Sequence, residues 1–336
     1  MTEDPKIAII VINWNGRDDT LECLASVRQV DYPHFEVIVV DNGSSDNSVE
    51  AIRNAFPEVT VIETRENLGF AGGNNVGMRH ALKNRSEYIF LLNNDTVVDS
   101  QILKSFIRSS RLLPRDAILS AKIYYYSNPD KIWYAGAKWV GSSFIHVGLG
   151  SYDDGHTFDS IAETDYACGC ALFVCTELVK KIGLLDERFF LTFEETDFCY
   201  RARGEGFKSY VVPEAKVWHK VSISFGGEGS PLFQYFIARN RLLWGEKNLP
   251  FPDRLALYKQ VAYEVFRAFF PRMIRRLRQG NASFFRQISI SMPDYRKSFR
   301  EALSDPKQKA RLFGIYDYVV RRFGNCPESV RALKIL

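Results

Sequence analysis

A chain of 336 residues, 46% hydrophobic and 25% charged, reads as an ordinary globular protein with room for one main domain and an appendage. No apolar run approaches the roughly 18 to 20 residues that cross a bilayer. Six cysteines without framework spacing, and no secretory signal ahead of the first strand, exclude a disulfide scaffold and predict reduced thiols in the cytoplasm. The net charge of +4 hides an asymmetry: from Arg254 onward 18 Lys or Arg stand against 6 Asp or Glu, leaving 26 against 34 before it.

Ile7 to Ile12 is a continuous apolar run, as expected of a strand buried on both faces of a parallel sheet, and Asn13-Trp14-Asn15-Gly16 ends it. A helical pattern follows with Leu21, Leu24 and Val27 on one face. Phe35 to Val40 is a second buried strand that stops at Asp41. Ser45 or Asp46 then caps the next helix, because a short oxygen-bearing side chain satisfies free N-terminal amides. Val59 to Glu63 predicts a third strand. It leads into the glycine-rich turn from Asn67 to Asn75, which opens a helix through Leu82. Tyr88 to Leu92 is the fourth strand, ending at Asn93. Four such units in succession argue for a doubly wound α/β sheet, in which the carboxyl ends of the strands line the ligand crevice. Asn13, Asp41, Asn67 and Asp95 all fall at such ends.

From about Ile118 the rhythm changes to aromatic-rich strand-like segments: Ile123 to Tyr126, Ile132 to Ala135, Phe144 to Val147 and Ala167 to Cys175. A helix near Leu178 to Ile182 precedes a second helix from Glu194 through Arg203. Ser209 to Val212 is a short strand. Beyond Ser230 the pattern is helical to the end, with Pro250 and Pro252 marking a boundary.

Two motifs a hundred residues apart carry the chemistry. In LLNNDTVV, alternation along an extended chain puts Asn93 and Asp95 on one side, so a carboxylate can hold Mg²⁺ or Mn²⁺ while the cation bridges a diphosphate. A plain Asx-capped turn accounts for the same residues. In FEETDF, a helix starting at Glu194 gives Glu194 and Asp197 one face and turns Glu195 away from Asp197. Glu195 is the favoured base for deprotonating a hydroxyl, since Asp197 has Arg201 as a partner at i+4. Asp41 can accept from a nucleobase imide or a ribose hydroxyl, a duty that a capped turn explains for Ser45 and Asp46 but not for Asp41. His219 ends a segment from Val211 interrupted by Pro213, and is either a structural histidine or a second metal ligand. Cys168, Cys170 and Cys175 lack the paired spacing of zinc sites and read as small buried thiols.

The segments IIVINWNG, VIVVDNGSSDNS, ENLGFAGGNNVG, FLLNNDTVV, ACGCALFV, GLLDERFFLTFEETDFCYRARGEGF, VPEAKVWH and ARNRLL, in this order, resemble the family 2 inverting glycosyltransferases with a GT-A fold, most closely the rhamnosyltransferase-like branch. The resemblance implies a Rossmann-like mixed sheet flanked by helices over residues 1–250, with a nucleotide-sugar half (1–117) and an acceptor and base half (118–250), followed by a basic helical extension (251–336). Trp14 and Asp41 would flank and bond the nucleobase. Asn13, Asn67, Gly69, Asn75, Asn93 and Asn94 would complete the donor site. Asp95 and His219 would be the ligands of Mn²⁺ or Mg²⁺, and Glu195 the base, with Asp197 the other candidate. The chain departs from the family pattern where Asn93 replaces an Asp and where Glu195, one methylene longer, replaces the Asp of the base. The implied donor is a nucleoside diphosphate sugar, dTDP-rhamnose first and a UDP-hexose next. The implied acceptor is a hydroxyl of a glycan or lipid-linked glycan in cell-surface polysaccharide synthesis.

A dinucleotide-dependent oxidoreductase would share the α/β start, but NWNGRDD lacks the glycine fingerprint. A carbohydrate-binding module would not need a strand-end metal motif and a separate base, and no nucleic-acid motif accompanies the basic tail. In that tail, Val261 to Leu277 interleaves Val265, Phe266, Phe269, Phe270, Ile274 and Leu277 with Arg267, Arg272, Arg275 and Arg276, with Pro271 as a kink. This suits a helix lying at the anionic inner face of a membrane, and equally a cap on the catalytic domain or a contact in a homo-oligomer.

Overall fold

The computed structural model describes residues 4–114, 117–140, 143–221, 229–269 and 303–333. They form two compact units, Met1–Ser224 and Phe225–Leu336. The first carries strands β1 (Ile7–Asn13), β2 (Phe35–Asp41), β3 (Thr60–Glu63), β4 (Tyr88–Asn93), β5 (Thr96–Val98), β6 (Ile118–Tyr125), β7 (Asn128–Tyr134), β8 (Ala137–Val140), β9 (Ser143–His146), β10 (Ala162–Thr164), β11 (Ala171–Cys175) and β12 (Ser209–His219). Its helices are α1 (Arg17–Val27), α2 (Ser48–Ala55), α3 (Gly69–Lys83), α4 (Ile102–Leu112), α5 (Thr176–Ile182) and α6 (Glu194–Gly204).

The main sheet runs β10-β12-β6-β11-β4-β1-β2-β3, with β5 added to β12 and β7 to β6, while β8 and β9 form a separate hairpin. The four expected strands are mutually parallel in the order β3-β2-β1-β4, and β11 then enters antiparallel to β4. Strand order therefore reverses at β1 and β4, the switch point where doubly wound sheets bind ligands. Register completes the effect: Asn13 pairs with Asp41 and Ile12 with Asn93, so three strand ends stand side by side. The apolar runs that predicted these strands are the core; Ile7 to Val11 and Ile38 to Val40 are wholly buried. The mixed sheet with flanking helices is the expected architecture, a GT-A fold.

Three of the boundaries that differ from the sequence reading have a plain physical reason. The segment from Ala167 becomes strand only at Ala171, because Cys168 to Cys170 turns; the Ala171 amide returns to the Cys168 carbonyl at 3.1 Å. The strand from Ser209 does not stop at Val212 but continues to His219, with a register shift between Val212 and Lys216 that absorbs Pro213. Helix α2 is preceded by Asn47 in the left-handed region, not by a side-chain cap. Asp46 instead takes the Ser48 amide at 3.2 Å.

In the second unit α7 (Pro231–Asn248), α8 (Phe251–Phe269), α9 (Pro306–Val319) and α10 (Glu328–Arg331) bear out the helical pattern among the described residues. Helix α7 packs against α9 in this unit. Its Tyr235 hydroxyl donates to Asp317 at 2.6 Å, and Gly314 lies so close that an added Cβ would stand 2.3 Å from the Tyr235 carbonyl. Of the amphipathic stretch from Val261, Val261 faces inward while Tyr263 and Phe266 are exposed. Phe270, Pro271, Arg272, Ile274, Arg275, Arg276 and Leu277 lie outside the described residues. Among the described residues, no helix is long and apolar enough to cross a membrane.

Candidate active site

A hydrogen-bond relay runs across three strand ends. Asn94 donates to the Thr20 hydroxyl (3.0 Å), which donates to Asn13 Oδ1 (2.9 Å), and Asn13 Nδ2 donates to Asp41 Oδ1 (2.8 Å) and Ser44 Oγ (3.0 Å). The second Asp41 oxygen accepts the Ser44 amide at 3.0 Å. Asp41 thus has the turn duty that the sequence did not reveal, and keeps one further lone pair on each oxygen for a ligand. Asn13 is saturated, since its Oδ1 also accepts from the Gly16 amide, and its side chain fixes Asp41. Trp14 stands half-buried beside it. A cleft of about 570 Å³ opens at Asp41, lined also by Ser44, Asn47, Arg53, Glu63 and Arg65; neither Asp95 nor Glu195 lines it.

The glycine-rich segment holds a distant loop. Asn75 is buried and spends its amide on the Leu185 backbone, accepting its N–H at 3.0 Å and donating to its carbonyl at 2.9 Å, with a second donation to Glu187. Gly69 has φ +73°, and a Cβ there would lie 2.3 Å from the Phe190 carbonyl, which caps α3 by accepting from the Phe70 amide at 2.7 Å. Asn67 turns back onto the Gly69 amide at 2.8 Å. These groups hold the loop from Leu185 to Phe193, in which Phe190, Thr192 and Phe193 all adopt left-handed backbone. Such residues cost about 1–3 kcal/mol each and persist only where neighbours fix them.

That loop delivers α6 and its carboxylates. Asp197 is fully buried and accepts from Arg201 Nε at 2.9 Å, while Arg201 also donates to the Ile182 and Leu184 carbonyls. The i+4 pairing expected from the sequence is therefore present, and it ties α6 to the segment after α5. Glu194 and Glu195 each keep a buried Oε2 with no hydrogen-bond partner. Burial pushes the Glu195 carboxyl up to about 7, against the pull of its own and the Thr196 amides. Burial, followed by the Glu195 charge, drives Glu194 well above the usual range. Of the two, Glu195 titrates near neutrality, where a general base is most effective.

On the other side, Asp95 Oδ1 faces His219 Nε2 at 3.1 Å, and Asn93 Nδ2 is 3.5 Å from the same nitrogen. The two motif positions do converge, although Asn94 and Asp95 form a turn and not continuous strand. His219 arrives through β12, which pairs antiparallel with β5 so that His219 opposes Thr96. Burial raises the Asp95 carboxyl, but the charge and hydrogen bond of His219, its own amide and Lys220 together outweigh this and hold it low. Lys220 is itself anchored to Asp19 and Glu22 of α1. The donor set suits a hard divalent cation. Adjacent ligands about 2.1 Å from an octahedral ion stand about 3.0 Å apart, close to the observed 3.1 Å. Among the described residues no three His, Cys, Asp or Glu side chains are placed to hold a metal ion together.

The turn Cys168-Gly169-Cys170 joins the two sides. The Asn93 amide donates to the Cys170 carbonyl at 3.0 Å, and a Cβ on Gly169 would touch Glu195 at 3.4 Å. After burial, the largest influence on the Cys168 thiol is the Glu195 charge, and on Cys170 it is Cys168 followed by Asp95. Cys168, Cys170 and Cys175 are all buried and none is in a disulfide. An aromatic group from β7, β9 and the segment before Cys168 completes the site: Trp133 meets His219 edge-on at 4.9 Å and His146 at 5.0 Å, and His146 Nε2 is 2.8 Å from the Tyr166 hydroxyl. Thr20, Trp133, His146, Tyr166 and Gly169 went unnoticed in the sequence. Only the density of aromatics after Ile118 pointed that way.

The sequence model of "Glycosyl transferase family 2" matches residues 8–176, half of the chain, and the chain belongs to that family. It is 27% identical over 210 residues to the "Low-salt glycan biosynthesis hexosyltransferase Agl10" of Haloferax volcanii, covering 59% of this chain and 62% of that relative. It is 21% identical over 249 residues to the "dTDP-rhamnosyl transferase RfbF" of Shigella flexneri, covering 72% and 80%. Among solved structures, the mannosyltransferase PcManGT of Pyrobaculum calidifontis, in complex with GDP-Man and Mn²⁺, shares the fold with a TM-score of 0.56 at 16% identity, covering 96% and 89%.

Proposed function

We propose that the protein is an inverting glycosyltransferase that moves a sugar from a nucleoside diphosphate to a hydroxyl of a glycan or lipid-linked glycan. The observation that carries the reading is the Cys168–Cys170 turn, which has the Asp95 pair on one side and Glu195 on the other. Glu195 removes the acceptor proton as the acceptor oxygen attacks the anomeric carbon. The bond from that carbon to the diphosphate oxygen breaks, and its electron pair leaves with the nucleoside diphosphate. Attack opposite the leaving group inverts the sugar. Asp41 receives a donor group of the nucleotide, held in place by Asn13. Asp95 and His219 would hold Mn²⁺ or Mg²⁺, whose chemistry is to neutralise charge on the departing diphosphate. Asn93 adds an uncharged amide, so the site depends on a single carboxylate. Asp197 positions α6 and does not react.

The names of the relatives support glycan assembly and make dTDP-rhamnose the first donor to test and a UDP-hexose the second. The basic tail supports work at the inner face of a membrane. Proton NMR of the product from dTDP-rhamnose or a UDP-hexose, with Mn²⁺ and a panel of glycan acceptors, tests the reading. Metal-dependent transfer with inverted anomeric configuration is expected. A retained configuration would reject the roles given to Glu195.

A further inference from the structure

The ARNRLL motif on α7 carries two arginines with opposite surroundings. Arg239 is wholly buried and supplied with acceptors: its Nε donates to Asn240 Oδ1 at 2.9 Å, and its Nη1 to the Gly324 carbonyl at 2.6 Å and the Tyr235 hydroxyl at 3.5 Å. The Arg241 side chain is 16% exposed, yet its Nε and Nη2 are both closed to solvent and neither has a hydrogen-bond partner among the described residues. The acidic group that the structure gives it, Glu264 of α8, lies against the other nitrogen. Nη1 is 3.5 Å from Glu264 Oε1, well beyond the roughly 2.7–2.9 Å of a charge-assisted bond. That oxygen already accepts from the Gln260 amide at 3.1 Å.

The Nε and Nη2 hydrogens lie along one side of the guanidinium, the edge that grips two oxygens of a phosphate or carboxylate at once. A buried cation with that edge unsatisfied is costly, so the folded chain gains most from a ligand that brings two acceptor oxygens and negative charge. We propose that this edge of Arg241, between α7 and α8, is a binding site for a phosphate group. The setting favours phosphate over a carboxylate, whose single charge Glu264 already offers. Arg267 is exposed and follows Glu264 by three residues on the same face of α8, which brings a second positive charge for a dianion. Glu264 is half-exposed and has solvent to turn into as phosphate enters. The phosphate is either a free anion or a lipid headgroup. The exposed Phe251, Leu255, Tyr263 and Phe266 on α8 offer a lipid an apolar surface on the same helix. The proposal is independent of the transferase reading.

Inorganic phosphate is the probe, titrated by calorimetry into the full chain without divalent metal and at constant ionic strength in chloride. Saturable binding is expected. Arg241→Met, which fills similar space without charge, should weaken it by about 10- to 100-fold, the scale of one hydrogen bond to a charged group. Arg241→Lys offers a point charge without the fork and should fall between the two. Phosphate binding that is absent from the wild type, or equal in wild type and Arg241→Met, overturns the proposal. If Arg241→Met does not fold, Glu264→Gln decides, since it removes a surface carboxylate that competes for the guanidinium: tighter phosphate binding supports the site, and unchanged binding overturns it. Co-sedimentation with phosphatidylcholine vesicles, with and without phosphatidic acid, separates the two sources. A gain from phosphatidic acid that Arg241→Met loses identifies a lipid headgroup. The same gain in both proteins, beside the lost phosphate affinity of Arg241→Met, identifies the free anion.

Discussion

Asp95 Oδ1 and His219 Nε2 stand 3.1 Å apart because β5 pairs with β12 at Thr96 and His219. Backbone pairing, and not side-chain flexibility, sets this distance, so the pair is organised before any ligand arrives. His219→Ala or Asp95→Asn is expected to weaken Mn²⁺ binding in the presence of nucleoside diphosphate by at least about 10- to 100-fold, the loss that follows removal of even a supporting group at a metal site. Titration of the Mn²⁺ electron paramagnetic resonance signal checks this. Unchanged affinity in both variants would remove the cation from Asp95 and His219.

Asn75 contacts the Leu185 backbone and Glu187, so its effect should fall on the base and not on the donor. Asn75→Ala leaves buried backbone groups unsatisfied and should cost about 1–3 kcal/mol of stability. Turnover should fall with donor Kd changed less than about threefold, since the tilt of the loop alters a reacting group and not a binding one. Calorimetric donor titration beside steady-state kinetics separates the two; a large rise in Kd with normal kcat would return Asn75 to the donor site.

The Asp197–Arg201 pair gives a stability prediction. Arg201→Ala takes the guanidinium away from a wholly buried carboxylate and from the Ile182 and Leu184 carbonyls, and loss of one partner of a buried pair costs about 3–5 kcal/mol. Urea unfolding measures it. Per folded molecule, Asp197→Asn should retain far more activity than Glu195→Gln.

The raised carboxyls also bear on pH. Glu195 titrates near 7 when folded and near the ordinary carboxylate value when unfolded. The folded chain therefore binds more protons between those values, and its stability falls as pH rises through about 7. Glu195→Gln should raise Tm at pH 8 by several degrees and have little effect at pH 4. Scanning calorimetry at both values tests the sign; equal shifts at both would mean that the carboxyl is not held up by burial.

Much of this was legible in the chain. The apolar runs ending in Asn13, Asp41 and Asn93 fixed the parallel strands, because strands buried on both faces leave little room for other patterns. The separation of Glu195 from Asp197 followed from helical spacing alone. What could not be read were pairings between distant segments. Nothing local announces that β5 will meet β12, that Asn75 will hold the loop at Leu185, or that β12 will run on through Pro213 with a bulge. The hairpin of β8 and β9 presents His146 inward only because Ala137 pairs with His146. Spacing within either strand does not contain that register.

If Glu195 takes the acceptor proton, Glu195→Gln removes that function with almost no change in shape. Rapid-quench single turnovers with saturating donor and Mn²⁺ should show transfer slowed by about 10² to 10⁴, with donor affinity within about threefold of wild type. Transfer at near the native rate in that variant would contradict the account.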